Sequence, residues 1–181
     1  MTQPLSICAA ILADKGGPVD LLVEKLVKDL REDGFRVAGV IQRMEMSGDT
    51  CCAAMGLELL STGETVGISQ PLGNGSSGCR LDPAGLAEAT ARLLRDLETG
   101  PDLLILNRFG KGEQDGQGFR QVIARAVDLN IHVLTAVRPT YLPDWRAFTG
   151  ELAVELPADF GEVRLWCNRV LQDRAREAAH G

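Results

Sequence analysis

Short apolar runs alternate along this chain with stretches of helical period. Residues 5–13 form a near-continuous apolar run with small side chains, the pattern of a strand buried on both faces of a parallel sheet. Leu22, Leu26 and Leu30 then recur every fourth residue, with Asp20 as a candidate cap and Gly34 as a stop, and Glu24 and Lys28 stand in the favourable i,i+4 order. Residues 35–42 return to a strand pattern, so the chain opens with a predicted β-loop-α-β unit.

The period changes after Arg43. Residues 57–60, the turn Ser61-Thr62-Gly63-Glu64 and residues 65–70 predict a hairpin, an antiparallel insertion over about 43–70. A Gly/Ser stretch from Gly73 leads through Cys79-Arg80-Leu81 to Asp82-Pro83, an N-cap and first-turn proline for a helix that reaches Glu98 before Gly100-Pro101 breaks it. Residues 102–106 read as a buried strand, and residues 107–118, with four glycines, as a loop. A helix over 119–129, a strand over 131–137, a lid-like turn or short helix over 141–148 and a strand over 151–156 follow. Asp159 then caps a terminal helix over about 160–179.

Strands separated by helices predict the α/β class: an open, mainly parallel sheet flanked by helices, with a β-hairpin insertion, in a single domain over 1–181. Ligands of such sheets sit beyond the carboxyl ends of the strands. That rule selects residues 14–20, 107–118 and 138–145, with 73–82 as a fourth candidate because it approaches a helix N-terminus.

Composition narrows the ligand. With 45% hydrophobic and 24% charged residues the chain is of ordinary globular type, its apolar runs are too short to span a bilayer, and its start lacks a signal-peptide pattern, so a cytoplasmic location without membrane insertion is expected. Five cysteines, odd in number and without C-x-x-C spacing, argue against a disulfide framework or zinc ribbon. A net charge of −6 repels nucleic acid, so an anion would need a small pocket of local positive charge.

Each candidate loop supplies part of such a pocket. Lys15, Gly16 and Gly17 occupy a strand-to-helix turn like a phosphate-binding loop but lack the G-x-x-x-x-G-K-[ST] series; Lys15 and the helix dipole can attract an anion, and a plain glycine turn fits equally well. At the tip of the strand over 102–106, Asn107 can donate and accept hydrogen bonds, Arg108 offers a planar fork, Gly110 frees the backbone, and Lys111 adds a mobile point charge. Glu113 can orient these cations, act on a water as a catalytic base, or face solvent. Gly75, Ser76, Ser77 and Gly78 form a candidate backbone nest that Arg80 could close, with Cys79 as a ligand-contacting or packed thiol and Asp82 as a cap or a contact. Arg138 is a further phosphate contact at a strand end, while Tyr141 and Trp145 can stack on a ligand or pack a short helix. Cys51, Cys52, Met44, Met46 and Met55 read as packing rather than as a metal site, and His132 as a satisfied packing residue.

The strings Gly78-Cys79-Arg80-Leu81-Asp82 and Asn107-Arg108-Phe109-Gly110-Lys111, with Glu113, Gly116 and Trp145-Arg146-Ala147-Phe148 after them, resemble a bacterial family of unknown function. That family resembles P-loop nucleoside triphosphatases at a distance and is often associated with molybdenum or molybdate-transport genes. The resemblance implies a P-loop-like sheet with a degenerate phosphate loop and an accessory role in molybdenum handling. It leaves the cofactor open between a nucleotide with magnesium and molybdate. Three functional readings stand. The leading one is binding of a small oxyanion by Arg80, Arg108 and Lys111; the others are a nucleoside triphosphatase using Glu113 and a noncatalytic interaction subunit, with protein partners or a homo-oligomer open.

Overall fold

The computed structural model describes residues 6–14, 18–45, 54–71 and 79–180. Among them a seven-stranded sheet runs in the order β4-β3-β2-β7-β8-β1-β9. Its strands are β1 (Cys8–Leu12), β2 (Val37–Glu45), β3 (Ala54–Leu59), β4 (Thr65–Gly67), β7 (Leu103–Phe109), β8 (His132–Val137) and β9 (Ala153–Pro157). β2, β7, β8, β1 and β9 are mutually parallel, and β3 and β4 extend one edge antiparallel. β5 (Ser69–Pro71) and β6 (Cys79–Leu81) pair with each other in a separate two-stranded sheet.

Helices cover both faces. α1 (Val19–Glu32) and α6 (Phe160–His180) pack on one, burying Val23, Leu26, Leu30, Val163, Trp166 and Val170 against Ala9, Ile11, Ile105 and Leu134. α2 (Pro83–Glu98), α4 (Arg120–Asp128) and α5 (Leu142–Thr149) pack on the other, where Leu93, Leu97, Val122, Ile123 and Trp145 meet Leu104, Leu106 and Val133. The continuous apolar runs of the central strands follow from this two-sided cover, each fully buried Leu, Ile or Val contributing roughly 1.5–3 kcal/mol. The strand pairing also dictates one glycine. Gly39 in β2 has φ +134°, and a Cβ there would lie 1.8 Å from the Ile105 carbonyl oxygen of β7.

Several boundaries differ from the sequence expectation. β2 begins at Val37 and runs on to Glu45, because Arg43, Met44 and Glu45 continue the ladder with β3. The hairpin is β3 and β4, and the predicted strand over 65–70 divides at Ile68, whose amide turns to the Met55 carbonyl while Ser69 starts β5. The 107–118 segment is not a loop throughout: β7 extends to Phe109 across a register shift, and a single helical turn, α3 (Lys111–Gln114), follows. Asp20 does not cap α1. The helix starts at Val19, two residues before the start that an Asp20 cap implies, with Pro18 at the N-cap position, and Asp20 lies in the first turn. Asp159 accepts from the Glu162 amide at the start of α6, as its spacing predicts.

Candidate functional site

Three parallel strands deliver their carboxyl ends to one hollow. β1 leaves through Ala13 and Asp14, β7 through Arg108 to Lys111, and β8 through Val137 and Arg138; Val19 of α1 and Tyr141 complete a cavity of about 250 Å³. Its lining combines apolar Ala13, Val19, Phe109, Ala136 and Val137 with charged Asp14, Arg108, Lys111 and Arg138. Phe109 of that lining packs edge-on against buried Trp145, centroids 5.3 Å apart, and stacks on Phe148 at 6.0 Å. A second groove, about 420 Å³ along α2, has no ionisable side chain in its lining, so it offers an anion nothing to pair with.

The three cations differ in what already engages them. Arg108 donates through Nη2 to Asp20 Oδ2 at 2.8 Å, and Asn107 Nδ2 reaches Asp20 Oδ1 at 3.4 Å. Lys111 stands 3.8 Å from Asp115 in an exposed i,i+4 pair, a contact worth little in water. Arg138 makes no ion pair among the described residues. It is therefore the cation most available to a ligand, which its place at a strand end suggests and its sequence context does not.

Glu113 does not face solvent, one of the three roles open to it. It is buried, its Oε2 accepts from the Gly110 amide and its Oε1 from the Phe119 amide, both at 2.9 Å. Each carboxylate oxygen of Glu113 thus holds one backbone amide, and the side chain ties down both ends of a tight turn. The clamp explains Gly118, which has φ +63° and where a Cβ would lie 2.3 Å from Glu113 Oε1. It also means that the Gly110 amide, although at the hollow, is already spent on Glu113.

Other predicted site residues fall elsewhere. Arg80 lies on β6 opposite Gln70, outside the seven-stranded sheet, and does not line the hollow, so the expected meeting of Arg80, Arg108 and Lys111 reduces to Arg108 and Lys111 joined by Arg138. Asp82 caps α2 by accepting from the Ala84 amide at 3.0 Å. Trp145 is core rather than a stacking platform; Tyr141 and Phe109 are the aromatics that line the cavity. Asn107 is buried beside Asp20 and its Oδ1 has no partner among the described residues. Cys79 enters β6 by its backbone. Lys15, Gly16, Gly17, Gly75, Ser76, Ser77, Gly78, Met46, Cys51 and Cys52 lie outside the described residues.

His132, at the opposite end of β8, packs edge-on to Trp166 at 6.1 Å, yet its Nδ1 has no hydrogen-bond partner among the described residues, so it is a packed rather than a satisfied histidine. Burial, and then the Arg174 charge, hold its pKa below the ordinary imidazole range. Burial also pushes the thiols of Cys8 and Cys167 up to about 12, which leaves them unreactive core residues. The residue that sequence reading missed is Asp20. Its distance of 88 positions from Arg108 hides the pair, and only its place in a first helical turn, where a carboxylate is favoured, hinted at more than a cap.

A family model described as "Protein of unknown function (DUF2478)" matches residues 8–166, from β1 well into α6. The chain belongs to this family. DUF2478 therefore takes in the whole seven-stranded sheet and every residue of the hollow. Among curated proteins, the chain is 35% identical over 158 residues to the "Molybdenum import ATP-binding protein ModC 2" of Bradyrhizobium diazoefficiens. The alignment covers 87% of this chain and 18% of the relative, so this DUF2478 chain spans less than a fifth of that protein's length. Among solved structures it is similar to THEP1 from the hyperthermophile Aquifex aeolicus, with a TM-score of 0.57 and 19% identity over 83% of this chain and 89% of the other. The mainly parallel, helix-flanked sheet thus shares the fold of THEP1. No helix among the described residues is long and apolar enough to cross a membrane.

Proposed function

We propose that this protein binds a small oxyanion, a nucleotide phosphate or molybdate, in the hollow at the ends of β1, β7 and β8, and acts as an accessory in molybdenum metabolism. The observation that carries the reading is the gathering of Arg108, Lys111 and Arg138 around one cavity in a chain of net charge −6. Arg138 makes no ion pair among the described residues, and Arg108 and Lys111 stand in the same lining to share an anion with it. The carboxyl-end position is where ligands of open α/β sheets bind. The molybdenum link is supported by the name of the ModC 2 relative, which combines molybdenum import with ATP binding.

A noncatalytic interaction role is the second reading. It is favoured by the fact that the matching segment is 18% of that relative, where it shares a chain with a much larger remainder. Triphosphatase activity through Glu113 would require that carboxylate to act on water while each of its oxygens holds a backbone amide. Calorimetric titration with molybdate, phosphate and a nucleotide panel tests the leading reading. Arg138→Ala and Lys111→Ala should weaken whichever anion binds, and affinities unchanged in both variants would reject the site.

A further inference from the structure

The hollow contains a contact that opposes its own charge. Arg108 already faces a carboxylate, Asp20, at hydrogen-bond distance, and Asn107 holds the other oxygen of that carboxylate. Both partners are anchored on regular structure, Asp20 in the first turn of α1 and Arg108 near the end of β7. The Arg108 and Asp20 side chains are only 31% and 44% exposed, so the pair is more than a passing surface contact. Among the described residues, Asp14 shares the lining with Arg108, Lys111 and Arg138, while Asp20 and Asp115 pair with Arg108 and Lys111.

The geometry points to Asp20 as a specificity-determining residue: an internal competitor for Arg108 that admits doubly charged tetrahedral oxyanions and excludes singly charged ones of the same shape. The inference rests on the oxyanion-binding reading above. A monoanion offers Arg108 the same single charge that Asp20 offers, but it must come from solution, whereas Asp20 is held in place by the fold and has the intramolecular advantage. A dianion doubles the attraction to Arg108, Lys111 and Arg138 as well as the repulsion from Asp14 and a displaced Asp20, and the surplus attraction comes from Arg138, which has no ion pair among the described residues. Asp20 therefore sets a threshold of ligand charge rather than of ligand size.

Molybdate and perrhenate are tetrahedral oxyanions of nearly equal size that carry two charges and one, which makes them the probes. Calorimetry on the full chain compares wild type, Asp20→Asn, Arg108→Ala and the double variant, with Arg138→Ala marking the site. Wild type should bind molybdate and not perrhenate. Asp20→Asn should bind molybdate about two- to fivefold tighter, the range expected for releasing a half-exposed ion pair, and should gain measurable perrhenate binding. Neither change should occur when Arg108 is already alanine. Asp20→Ser, checked for a wild-type melting temperature, repeats the test with a shorter side chain in case asparagine misfolds or keeps Arg108 engaged. Wild type that binds perrhenate as well as molybdate, an Asp20→Asn protein that binds molybdate no tighter, or an equal gain in the Arg108→Ala background would each overturn the inference. In those cases molybdate binding that remains sensitive to Arg138→Ala leaves the underlying reading standing. Absence of binding to both wild type and Asp20→Asn sinks the two together.

Discussion

Arg80 and Arg108 both neighbour glycines, both precede a helical turn, and both suit an anion contact on local composition, yet the fold sends them to different places. Arg108 is on a central parallel strand whose carboxyl end shares an edge with those of β1 and β8, so it arrives at a hollow with two other cations. Arg80 is on a three-residue antiparallel strand paired with Ser69–Pro71, outside the main sheet. Two carboxylates make the same point. Glu113 is buried and fully engaged by amides of its own turn, while Asp20 reaches across from another element to a cation of the hollow. A charged side chain joins a site when strand order brings its backbone there, and sequence neighbours alone do not decide it.

The largest effect that tests this contrast concerns Glu113. Replacing it with alanine leaves the Gly110 and Phe119 amides without an acceptor in a partly dry turn and should lower stability by about 2–4 kcal/mol, read as a shift in the urea midpoint. Glu113→Gln, which keeps one carbonyl oxygen, should lose less, and wild-type stability in the alanine variant would mean that the tip of β7 is held by something else. Next in size, Arg138→Ala should weaken oxyanion binding about tenfold whereas Arg80→Ala leaves it unchanged; equal losses in a titration would erase the distinction between the two arginines. Asp82→Ala should cost about 1 kcal/mol through the lost cap of α2 and depress the melting temperature without touching anion affinity.

The smallest effect separates the two ends of β8. His132 sits at the start of the strand with a depressed pKa, so the unfolded chain takes up its proton at a higher pH than the folded one. Its contribution is intact above the unfolded value of about 6.5 and is lost as pH falls through it towards the folded value. Denaturation at about pH 8 and about pH 5 should show that loss, His132→Gln should reduce it, and anion affinity at the Arg138 end should not follow the substitution. A pH dependence that survives the substitution unaltered would assign it to other groups.

The sequence alone determined the β-loop-α-β opening, the mainly parallel sheet and the antiparallel insertion. Apolar run length, helical period, and turn and cap residues act over a few positions, where short-range sterics and burial govern. It also marked the three strand-end loops as the places to search, because that rule depends only on element order. The tertiary structure alone decided which charges share a hollow. Asp20 with Arg108, Arg138 with Lys111, and the exclusion of Arg80 and Trp145 depend on strand order and helix packing across dozens of residues. Coulombic and hydrogen-bond partners are chosen by distance in space, and no local pattern encodes that distance.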